Sequence, residues 1–180
     1  MAQRLVLVAH GPTAGTREMV FGDRTELLDP AAVQPTGERV ASWGSAPEPA
    51  CAATARALGG EPVVHDELRG LDTGRWTGRA LSEVGEAEPA ALGAWLTDPA
   101  AAPHGGESLT QLVTRVGDCC DAQPWSDGRN LVVVTPLVAR ALLVHALGVG
   151  AETIFRIDLA PLGRVGLSRS GGPWRLRQLG

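Results

Sequence analysis

Apolar residues fall along this chain in two patterns, and each predicts a different element. Leu5 to Ala9 and Leu131 to Val134 are unbroken apolar runs that end at His10-Gly11-Pro12 and Thr135-Pro136. Runs of that form are strands buried on both faces. Leu109, Leu112, Val113 and Val116 instead follow the i, i+3, i+4, i+7 spacing of one buried helix face, opened by Ser108. Pro49 to Leu58 carries proline in its first turn and Gly59-Gly60 past its end, and Leu137 to Leu147 lies between Pro136 and Gly148. Both read as helices. Thr36 to Trp43 can cap and form a short helix, Pro62 to His65 a short strand, and Ala80 to Val84 and Pro89 to Leu96 further helical stretches. Ile154 to Leu159, Arg164 to Leu167 and Trp174 to Gln178 supply three late strands. This order implies a mixed α/β sheet.

Composition narrows the picture. A chain of 180 residues supports one sizeable core, so residues 1–180 read as a single domain. The net charge is -4 and the chain has no basic block, which argues against a nucleic-acid partner. The longest apolar region, Leu131 to Leu147, is interrupted by Thr135, Pro136, Arg140 and His145, so no membrane partner is expected. MAQRLVLVAH lacks a basic n-region and a cleavage site, so the expected location is cytoplasmic. Cys51, Cys119 and Cys120 make no disulfide framework, no His or Cys spacing suits zinc, and no motif implies a cofactor. Trp76, Trp95, Trp125 and Trp174 are expected to close the core.

The two strongest strands end at His10 and Thr135, and open α/β sheets bind ligands beyond such ends. LVLVAHGPT at that first strand end is joined by several later segments. These are Leu68-Arg69 with Asp72, Gly74, Trp76 and Gly78, then Gly105-Gly106-Glu107-Ser108, then VVVTPLVARALLVHALG. Together they resemble the histidine phosphatase (phosphoglycerate mutase-like) superfamily over nearly the whole chain, closest in flavour to the α-ribazole phosphatase branch. The resemblance implies a three-layer α/β/α fold with a mixed, mostly parallel central sheet, and His10 at the place of the histidine that is phosphorylated. It implies gaps as well. Ala9 stands at the motif arginine, Ala50 at a second arginine, Thr135 at a second histidine, and Gly70 at the usual general acid.

Each lost donor typically lowers a rate by about 100- to 1,000-fold, so phosphoryl transfer is not expected. The replacements remove charge and volume, which predicts a wider, more apolar pocket for a largely neutral small molecule. His10 is then either a relic in the core or an acid/base catalyst. Glu107 either orients the His10 ring or serves as a carboxylate at a helix N-terminus. Thr13, Thr135 and Ser108 offer hydroxyls, though threonine after a strand more often bonds local backbone. Asp72 is the carboxylate nearest the vacated acid position. The alternatives are weak phosphomonoesterase activity through His10, with Arg17 or Arg75 as phosphate donors, and a noncatalytic interaction scaffold. A homodimer fits the habit of such folds.

Overall fold

The computed structural model describes residues 3–27 and 29–180. Its strands are β1 (Gln3–Ala9), β2 (Ser42–Ser45), β3 (Val63–Val64), β4 (Gly128–Val134), β5 (Arg164–Arg169) and β6 (Arg175–Leu179). They form one sheet in the order β3-β2-β4-β1-β5-β6. β1, β4, β2 and β3 pair in parallel, while β5 and β6 add antiparallel at one side. The helices are α1 (Ala14–Glu18), α2 (Pro49–Ala57), α3 (Leu81–Ala87), α4 (Pro89–Thr97), α5 (Leu109–Ala122) and α6 (Pro136–Leu147).

Crossovers between parallel strands are right-handed. α2 carries the chain outward from β2 to β3, and α5 ends the return from β3 to β4, so the two lie on opposite faces. α6 packs beside α5 and against β1, β5 and β6. Side chains confirm which face of β1 meets these helices. Arg169, the register partner of Gln3, bonds both Gln3 Oε1 (2.7 Å) and Asp121 near the end of α5. Gln3, Leu5 and Leu7 therefore face α5 and α6, and Arg4 and Val6 face the other way.

Leu5, Leu7, Val8 and Ala9 of β1 and Leu131 to Val134 of β4 are buried, Val6 is half-exposed on the Arg4 face, and all four tryptophans named above are buried. Among the described residues no helix is long and apolar enough to cross a membrane.

Two expected elements are replaced. No helix forms over residues 36–43; instead Trp43 pairs with Leu131 in β2, where sheet pairing outweighs a weak local helix signal. Ile154 to Leu159 is not a strand. Residues Ala151–Arg156 make a 3-10 turn that buries Ile154 and sets Phe155 edge-on to Trp95 at 4.9 Å. Neighbouring apolar side chains here serve two different contacts, which a pleated strand would not bring together. α1 was not predicted; Thr13 caps it.

Candidate functional site

β1, β4 and β2 run parallel and adjacent, so their carboxyl ends open on one side of the sheet. His10 follows β1 directly, and its backbone N–H donates to Val134 O at 3.0 Å, which sets it beside Thr135. The imidazole is 4% exposed. Its Nδ1 lies 2.8 Å from Gly11 O. A carbonyl oxygen only accepts, so Nδ1 carries a proton. In the neutral ring Nε2 is then the nitrogen that holds the lone pair. α2 supports the arrangement from behind: Thr54 Oγ1 accepts from Gly11 N–H (2.9 Å) and donates to Ala50 O (2.7 Å).

Two carboxylates approach this end of the sheet that the sequence did not single out. Asp23 accepts from Thr13 Oγ1 at 2.5 Å and from the Thr25 backbone and hydroxyl. Burial is the largest single influence on its pKa and raises it. The hydrogen bonds from Thr13 and Thr25, with the charge that His10 carries when protonated, outweigh burial together and hold the carboxyl below the usual range. Gly15 makes room for it, since a Cβ there would sit 2.1 Å from Asp23 Cγ. Glu48, just past β2, accepts from Gly70 N–H at 2.7 Å through Oε1, while its Oε2 is buried without a partner. A Cβ on Gly70 would lie 3.2 Å from Glu48 Oε1 and 3.5 Å from Thr135 Cγ2. The Glu48 carboxylate thus fills the space beside Gly70, facing Thr135.

The expected site residues divide. Ala9 is buried at the end of β1, Ala50 is buried in the first turn of α2, and Gly70 and Thr135 meet as described. Thr135 caps α6 by accepting from Val138 N–H at 3.3 Å, which leaves its hydroxyl proton free. Thr13 commits its hydroxyl to Asp23 and to capping α1, and Ser108 forms a capping box with Gln111 on α5. Both serve local structure.

Glu107 does not pair with His10 among the described residues. Arg115 takes both of its oxygens, at 2.8 and 2.7 Å, and also donates to the carbonyls of Glu67, Arg69 and Gly70. A carboxylate that does feel the charge of a protonated His10 is Asp23. Asp72 accepts from Gly74 N–H, and Arg75 is held by Pro103 O and Glu88. At Gly70, where the replacement was expected to open space, the Glu48 carboxylate stands instead. Concave surfaces of about 550 and 520 Å3 lie elsewhere, one on the Arg4 face of the sheet and one beside Arg69, Glu107 and Arg115. Among the described residues no three His, Cys, Asp or Glu side chains converge as a metal would require.

Comparison with known proteins gives a consistent picture. The family model of the histidine phosphatase superfamily (branch 1) matches residues 5–180. A bifunctional protein of Mycobacterium tuberculosis is 37% identical over 114 residues, which cover 60% of this chain and 31% of that one. The match thus spans about a third of the length of the curated relative. A mycobacterial glucosyl-3-phosphoglycerate phosphatase superposes with a TM-score of 0.79 at 25% identity, over 98% of this chain and 97% of the other. A putative alpha-ribazole-5'-P phosphatase from Escherichia coli gives 0.82 at 20% identity, over 99% and 96%.

Proposed function

The chain belongs to the histidine phosphatase superfamily, and from that premise we propose that it has given up phosphoryl transfer. On this reading the strand ends around His10 hold a largely neutral small molecule, with His10 Nε2 as proton acceptor. The observation that carries the reading is Glu48, whose buried Oε2 has no hydrogen-bond donor among the described residues. A buried acceptor without a partner is costly, and a ligand hydroxyl or N–H group relieves it. A phosphate group does the opposite. Facing an ionised Glu48 at about 4 Å, each unit of phosphate charge loses about 4 kcal/mol at an effective dielectric constant near 20, roughly a thousandfold in binding.

The residues that the motifs align with charged phosphate donors support the same view, since Ala9, Ala50 and Thr135 carry no charge. Among the described residues no arginine donates to His10, Thr13, Asp23, Glu48 or Thr135. His10 and Thr135 then supply a base and a hydroxyl donor, and Glu48 an acceptor, for a ligand bearing both kinds of group.

Matched ligand pairs test this: adenosine against adenosine monophosphate, and glycerol against glycerol phosphate, each titrated while the amide signals of Gly70 and Thr135 are followed. The neutral partner of a pair is expected to shift these signals, with the effect lost in Glu48→Gln. Stronger shifts from the phosphorylated partner overturn the reading.

A second reading is weak phosphomonoesterase activity. The structural relatives are phosphatases, and the fixed Nδ1–H of His10 leaves Nε2 free as a nucleophile. With Arg75 committed to Glu88, it rests on His10 and the exposed Arg17.

A further inference from the structure

The face of the sheet turned away from α5 and α6 is uncovered at β1, β5 and β6, and arginines crowd it. Strand register sets Arg129, Arg4, Ser168 and Arg175 in one row across β4, β1, β5 and β6. Arg177 reaches the same row by donating from Nε to Ser168 Oγ at 2.7 Å. Val6 and the side-chain-free Gly166 lie in the neighbouring row, and the whole lines the concavity of about 550 Å3.

Like charges directly opposite one another on neighbouring strands are destabilising. Glu38 balances Arg129 and Arg164, but among the described residues Arg4 and Arg175 have no acidic partner. Charges on an edge strand guard against unwanted strand pairing, which accounts for Arg175 and Arg177 on β6. It does not account for Arg4, which sits on an interior strand between β4 and β5 and is exposed. In a chain of net charge -4, such a local excess of guanidinium groups calls for an anion from outside.

We propose that this face is a binding site for a compact polyanion, a small molecule carrying two or more phosphate groups, held by Arg4, Arg175 and Arg177. The planar donor fork of arginine matches phosphate oxygens two at a time. The concavity is of the size that encloses a small ligand. The site is separate from His10, at the opposite, amino-terminal end of β1.

Pyrophosphate titrated into the isotopically labelled full chain tests the proposal, with inorganic phosphate as the weaker comparison. Amide and arginine Nε signals of Arg4, Ser168, Arg175 and Arg177 are expected to move together, more weakly as salt rises. Arg4→Gln and Arg175→Gln, whose folding the same spectra report, are each expected to weaken binding by about tenfold. No movement at about 10 mM pyrophosphate overturns the proposal, since several charge-assisted hydrogen bonds bind more tightly than that. So do shifts centred on His10, or affinity unchanged in Arg4→Gln. A polyglutamate peptide that occupies the same residues more tightly than pyrophosphate also overturns it, in favour of an acidic protein partner.

Discussion

Replacing Arg115 by methionine isolates the contact that takes Glu107 away from His10. The Arg115 and Glu107 side chains are only 16% and 12% exposed, and their fork-to-fork geometry leaves little room for water. Arg115→Met removes the positive charge while keeping much of the apolar stem. It leaves a largely desolvated carboxylate and the carbonyls of Glu67, Arg69 and Gly70 without this donor. Breaking a buried pair from one side costs about 3–5 kcal/mol. At roughly 2–4 °C per kcal/mol for a chain of this size, the melting temperature falls by about 6–20 °C. Urea unfolding reads the loss as a lower midpoint at unchanged m. The double variant Glu107→Gln with Arg115→Met is expected to recover much of it, since no buried charge then remains. A loss below about 1 kcal/mol in the single variant places the pair among weak surface contacts and refutes the reasoning. A double variant as unstable as the single one shows instead that the carbonyl contacts dominate.

Two further outcomes follow from the same region. Burial holds His104 below the usual imidazole range, with Asp72 opposing and Arg75 adding to the effect. The unfolded chain then takes up the proton more readily, so stability present above about pH 6.5 is lost as pH falls through the window below it. Urea midpoints measured at about pH 7.5 and 5.5 are expected to fall, and His104→Gln flattens the slope. Gly74 has φ +47, and a Cβ there would stand 2.2 Å from His104 O. Gly74→Ala is therefore expected to cost more than about 2 kcal/mol by unfolding, and a neutral result would show that the loop relaxes freely.

What the sequence disclosed, it disclosed through local pattern. The run at β4 has no alternation because both faces are buried, β1 is buried on both faces only at Val8 and Ala9, and the helix after Ser108 shows its own cap and stripe. β2 was hidden, because Ser-Trp-Gly-Ser offers one large apolar residue and owes its extension to pairing with β4. The site followed the same division. His10 was legible from its place after a buried run. Asp23 and Glu48 were not, since each gains its role from a partner distant in sequence, Thr13 for one and Gly70 for the other. Of the two roles open to Glu107, neither named its actual partner although a signal existed: Arg115, eight positions on, is the lone basic residue of α5 and lies two turns along from Glu107.

Mass spectrometry of the intact protein after incubation with p-nitrophenyl phosphate tests the central claim most directly, because a competent His10 would hold the phosphoryl group covalently. The account predicts an unmodified chain and p-nitrophenol release no faster than in His10→Ala. A phosphoryl adduct mapped to His10, with release abolished by His10→Ala, would contradict it.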